Sequence, residues 1–74
     1  MRNDVRALRT ERGWTQVAFA AALGVSRQTV NALETGRYDP SLPLAFRVSA
    51  LLGRPIEEIF FPGEHDAPPS GGRR

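Results

Sequence analysis

Cysteine is absent from the 74 residues, and so is lysine; histidine, tryptophan, tyrosine and methionine occur once each. Without thiols, disulfides and thiolate metal sites are excluded. With one histidine, His65, near the C-terminus and no clustered acids, no nucleophile–base pair or metal constellation can be assembled. An enzyme is therefore not expected, nor a cofactor, a metal or a small-molecule ligand. No apolar run approaches the ~20 residues of a membrane span, and the opening MRNDVRALR lacks the apolar core of a secretory signal. A cytoplasmic protein with no membrane partner is the expectation. Alternating runs of β-branched residues are missing as well, which removes any strand signal.

Charge of one kind is carried entirely by arginine: ten Arg supply the whole positive charge, and the net charge is only +2. The distribution says more than the total. Residues 1–37 hold six Arg against Asp4, Glu11 and Glu34, a surplus of +3. Residues 38–61 hold Arg47 and Arg54 against Asp39, Glu57 and Glu58, a balance of −1, and the remainder is neutral. Positive charge gathers on the first half, which suits a polyanion without establishing one.

What is present is punctuation. Gly13, Gly24, Gly36 and Gly53 each follow an apolar-periodic run, the place for a left-handed residue that closes a helix. Between them lie helices expected at 3–12, 15–23, 26–35, 41–52 and 55–61, an all-α domain of five short helices over 1–61. From residue 62 the chain reads PGEHDAPPSGGRR. That composition cannot offset its ordering entropy, so a disordered tail over 62–74 is expected, with no role for His65, Arg73 or Arg74. A domain this small has a thin core, and oligomerisation often adds the missing stability.

Residues 15–35 hold the most specific pattern. Thr15 is a good N-cap, Phe19, Ala20 and Leu23 form one apolar face, and Gly24 ends the run. Ser26 caps the next helix, with Val25 and Val30 placed as a hydrophobic staple. The short link forces the two helices to cross closely, and Ala20 is small enough to permit it. On a wheel centred on Val30, Leu33 and Glu34 lie within about 60° and point inward. Gln28, Asn31, Ala32 and Thr35 point outward, with Arg27 at the exposed first turn and Arg37 just beyond the end. A solvated face usually carries charged i,i+4 pairs. Side-chain amides instead donate to and accept from a single base edge, and arginine suits guanine. Composition alone leaves both readings standing, a wet helix face and a base-reading surface.

The stretches LRTERGWTQ, LGVSRQTVNALETGRYDPSLPLA and LLGRPIEEIF, in this order and spacing, resemble the Xre/Cro-type helix-turn-helix family of phage repressors and small regulators. The resemblance covers residues 3–61. It implies a compact five-helix, lambda-repressor-like domain that binds double-stranded DNA, its third helix in the major groove. Carried over by position, Arg27, Gln28, Ala32 and, less directly, Asn31 face bases. Thr15, Gln16, Thr35 and Arg37 face the DNA backbone, which fixes register without reading sequence. The family often pairs the positions of Arg9 and Glu34, so an ion pair is expected to hold the inward-facing Glu34. Similar proteins dimerise near the end of the fifth helix, which implies a homodimer with Phe61, Arg54 and Glu58 in its interface.

Three departures from the family pattern stand out. Trp14 replaces the usual leucine, Val17 and Ala18 stand where acidic residues are frequent, and Pro55 replaces a serine cap. Two aromatics also miss their helical stripes. Phe46 lies about 160° from Val48 and is expected in the core, the domain wrapping both sides of its helix. Phe61 lies about 100° from Phe60, which leaves both burial and an exposed position near the end of the fifth helix standing. The resemblance thus implies a repressor of a near-palindromic operator. Its rivals are an antitoxin-type regulator that also binds a toxin, and a protein-interaction module on the same scaffold. An adaptor would tolerate acidic or large apolar residues on the outer face of the third helix, and none is there.

Overall fold

The computed structural model describes residues 1–63, so the expected tail from 64 onward, with His65, Arg73 and Arg74, lies outside the described residues. Four α-helices form within the ranges expected for the first four: α1 (Val5–Glu11), α2 (Gln16–Leu23), α3 (Arg27–Glu34) and α4 (Leu42–Leu52). Each of the last three begins on a hydroxyl. Thr15 Oγ1 accepts from the Ala18 amide, Ser26 Oγ from Thr29 and Ser41 Oγ from Leu44, which satisfies one orphan N–H per helix. Gly24 closes α2 at φ 77° and Gly36 follows α3 at φ 78°, a backbone region that side chains disfavour. At Gly36 there is also no room: a Cβ would sit 3.2 Å from the Met1 carbonyl oxygen.

The two ends of the domain depart from the five-helix expectation. The last helix is a single 3₁₀ turn, Ile56–Glu58, followed by a two-residue strand, β2 (Phe60–Phe61). This strand pairs antiparallel with β1 (Arg2–Asn3), Arg2 opposite Phe61 and Asn3 opposite Phe60. The reason is local at both ends. Pro55 is extended and offers no side-chain cap, so the turn closes only on i→i+3 bonds, Glu58 N–H to Pro55 and Ile59 N–H to Ile56. At the other end the Asn3 side chain takes over the start of α1. Its Oδ1 accepts from the Val5 amide, while its Nδ2 donates to the Leu33 carbonyl at 2.9 Å. Residues 2–3 are thereby held extended rather than helical, and the Asp4 amide continues the ribbon by donating to the Ile59 carbonyl.

One hydrophobic core joins the helices. Val5 and Leu8 of α1, Phe19, Ala20 and Leu23 of α2, Val30 and Leu33 of α3, and Leu44, Ala45, Val48 and Leu52 of α4 are buried with Ile59 and Phe60. α2 packs most extensively on α3, and α4 closes the far side against α2 and the 3₁₀ turn. Trp14 fills the position expected for leucine and meets Phe19 edge to face, centroids 5.9 Å apart. Phe46 corrects the expectation of a wrapped helix: it is 58 % exposed, and so is Leu42 beside it at 64 %. Only one side of α4 has neighbours to bury against, so a side chain that far off the stripe faces water. Phe61 is half-buried in the ribbon rather than at a helix end, with the Arg2 guanidinium 5.3 Å from its ring centroid.

Candidate nucleic-acid interface

The inner side of α3 rests on a buried charge. Glu34 is at the last turn of α3 on its inner side, and its carboxylate is only 2 % exposed. A bare buried carboxylate is prohibitively costly. Arg9 of α1 answers it: Nε bonds Oε2, Nη2 reaches Oε1 at 3.3 Å, and Nη1 donates to the Trp14 carbonyl at 2.7 Å. The guanidinium therefore ties α1, the turn before α2 and the end of α3 into one unit.

The network continues outward through Gln16, the first residue of α2. Its Nε2 donates to Glu34 Oε1 at 3.0 Å, and weakly to Asn31 Oδ1 at 3.5 Å. Its Oε1 accepts from Arg27 Nε at 3.3 Å. The first side chain of α3 is thus held by the first side chain of α2. Because only Nε is used, both terminal nitrogens of Arg27 remain available as a fork. Gln28 and Arg37 are exposed and their side chains have no partner among the described residues.

Two clefts flank α3. One lies between α1, α2 and α3 and is bordered by Arg6, Thr15, Gln16, Val17, Arg27, Asn31, Glu34 and Thr35 along with Arg9. The other is bordered by Gln16, Arg27, Gln28, Asn31, Ala32 and Arg37. The structure so brings Thr15, Gln16, Arg27, Gln28, Asn31, Ala32, Thr35 and Arg37 onto one continuous surface. The Thr35 hydroxyl donates back to the Asn31 carbonyl and keeps its lone pairs outward. Arg54, Glu58 and Phe61 are elsewhere, around the C-terminal turn; Arg54 and Glu58 are 3.4 Å apart and each about half exposed.

Electrostatics single this surface out. Glu34 is the one carboxylate bordering either cleft, and Arg9 cancels it. Glu11 is spent on Arg12, and Asp39 lies 3.2 Å from the terminal ammonium of Met1. Arg6, which composition did not single out, borders the same cleft as Arg27. A signal for it existed: no carboxylate stands three or four residues to either side, so nothing on its own helix can neutralise it.

The sequence and the fold both match known proteins. The profile of the helix-turn-helix family matches residues 5–59, nearly all of the described chain. The chain belongs to the Xre/Cro-type helix-turn-helix family. Within it, an HTH-type transcriptional regulator of Methanothermobacter thermautotrophicus is 52 % identical over 68 residues, 90 % of this chain and 99 % of that one. Another from Methanocaldococcus jannaschii is 48 % identical over 60 residues, 81 % of this chain and 91 % of that one. Among solved structures, the restriction-modification controller protein C.AhdI from Aeromonas hydrophila superposes with a TM-score of 0.68. Its identity is 30 %, over 76 % of this chain and 85 % of that one. Helix-turn-helix membership gives the pair α2 and α3 its meaning: the second of the two is the recognition helix.

Proposed function

We propose that this protein is a sequence-specific, double-stranded-DNA-binding transcriptional regulator acting in the cytoplasm on the nucleoid. It acts as a repressor that reads a near-palindromic operator through the major groove. The observation that carries the reading is the outer face of α3: amide and methyl side chains, no free carboxylate, and unpaired arginines at both ends. Relatives named as transcriptional regulators and a controller protein of the same fold support it.

Roles follow from donor geometry. The free fork of Arg27 matches the O6 and N7 acceptors of guanine, and the Gln28 amide matches N6 and N7 of adenine. Asn31 is the lesser reader because Gln16 shares its oxygen. The Ala32 methyl packs on a thymine methyl or leaves its base unread. Thr15, Gln16, Thr35 and Arg37 bind phosphates and set register. Occupancy of the operator is the regulatory act in this reading.

A symmetric dimer completes the reading, its interface around Phe61, Arg54 and Glu58. The adjacent Arg54 and Glu58 make a patch that is complementary to its own copy, the requirement of a two-fold contact. Two recognition helices would then lie roughly 34 Å apart, one DNA turn. Gln28→Ala is expected to lose about 1–3 kcal/mol on the selected operator and almost nothing on random duplex. Titration of both duplexes by fluorescence anisotropy checks this. Equal losses on both would remove Gln28 from the base readers, and Arg37→Ala is expected to show that uniform pattern.

A further inference from the structure

Eight arginines fall within the described residues. Arg9, Arg12 and Arg54 are ion-paired, and Arg2 lies over the Phe61 ring. Four have neither an acid nor a ring: Arg6, Arg27, Arg37 and Arg47. Three of these border the two clefts around α3, and Arg47 is exposed on α4, the helix that packs behind α2. Arg27 and Arg37 have places in the reading above. Arg6 does not.

We infer that Arg6 is a positioning residue that binds a DNA phosphate from α1, on the flank of the half-site opposite Arg37; this rests on the DNA-binding reading of the same surface. Arg6 shares its cleft with Thr15 and Gln16, the backbone-facing residues at the start of α2. One turn further along α1, the charge of Arg9 is cancelled by Glu34, so the potential over this wall of the cleft comes from Arg6. Its side chain is exposed and has no partner among the described residues. Ordering it costs only rotamer entropy, with no intramolecular bond to break. Arg37 borders the other cleft beside Gln28 and Ala32. A phosphate held by Arg6 and a second held by Arg37 give one anchor on α1 and one just beyond the end of α3. Two such anchors fix how the helix lies along the groove, and a single anchor leaves it free to pivot.

The test compares Arg6→Gln with Arg47→Gln, two equal losses of charge at two places. The probe is a fluorescent random-sequence duplex of about 20 base pairs, titrated with the full chain between about 50 and 200 mM salt. Each phosphate contact contributes about 0.9 to the slope of log affinity against log salt. Arg6→Gln is expected to lower that slope by about 0.9 per bound protomer and to weaken binding about tenfold near 100 mM salt. Arg6→Lys keeps the wild-type slope, Arg47→Gln keeps it too, and the melting temperature of Arg6→Gln is unchanged. The inference is overturned if Arg6→Gln retains the wild-type slope while Arg37→Ala loses it, since DNA binding then stands without Arg6. It is equally overturned if Arg47→Gln loses as much, since net charge alone then accounts for the effect. A wild-type chain that binds no duplex at any of these salt concentrations removes the DNA reading and the inference together.

Discussion

Glu34→Ala is expected to destabilise the domain by about 3–5 kcal/mol, the cost of leaving one member of a buried ion pair without its partner. The Arg9 side chain is 8 % exposed and would keep only the Trp14 carbonyl as an acceptor. For a domain of this size such a loss lowers the melting temperature by roughly 4–8 °C per kcal/mol. It also consumes most of the stability that one small core supplies. The reciprocal change, Arg9→Ala, is expected to be similar, since Glu34 would retain only the Gln16 amide. The joint replacement Arg9→Met with Glu34→Leu should cost far less than either single truncation, because apolar residues of like volume carry no desolvation penalty. Urea unfolding of wild type, the two single variants and the joint replacement compares these costs directly. A Glu34→Ala protein within 0.5 kcal/mol of wild type, roughly the scatter of surface substitutions, would show that the pair is not the tie between α1 and α3.

Phe19→Ala carries the second large effect, again about 3–5 kcal/mol. Phe19 is fully buried at 0 % exposure, with the Trp14 ring against it. The edge-to-face contact adds about 0.5–1.5 kcal/mol to the area term. The cavity cannot collapse easily, because its walls come from separate helices held apart by caps and the Arg9 tie. Phe46→Ala is the internal control. With the ring 58 % exposed, its loss should cost under about 1 kcal/mol. Chemical denaturation of both variants measures the contrast, and similar losses would mean that Phe46 is buried after all.

The contrast between these two phenylalanines shows where the sequence was legible. Helix boundaries for α2 and α3 rest on Thr15, Ser26 and the glycines after them, and the end of α4 on Gly53, all signals that act within a few residues. Phe19 sits mid-stripe, and its burial follows from periodicity. Phe46 lies off its stripe, and its fate depends on whether a second layer covers α4, which no local pattern states. The ribbon of β1 and β2 was invisible for the same reason: it joins Arg2 to Phe61, and two-residue strands have no period to detect. At the candidate site, the outer face of α3 could be drawn from a wheel. The reach of Gln16 to Arg27, Asn31 and Glu34 is tertiary. The local signal for Arg6 did not say what it would face; the cleft it shares with Arg27 does.

The shortened last helix also bears on assembly. Arg54 precedes a single 3₁₀ turn and Glu58 ends it, so the two do not line a helix. The proposed two-fold contact would therefore rest on a turn rather than on a helix face. A dimer that is weak in free solution and secured by simultaneous binding of two half-sites fits such a contact, since the second half-site is then bound at high effective concentration.

The most direct test of DNA reading is selection of bound sites from a pool of random duplexes at about 100 mM salt. The account predicts enrichment of a two-fold-symmetric sequence with half-sites centred about 10–10.5 base pairs apart. Repeating the selection with Gln28→Ala should relax one defined base pair in each half and leave the spacing intact. A pool that stays random through successive rounds, while the protein remains folded, would contradict the account.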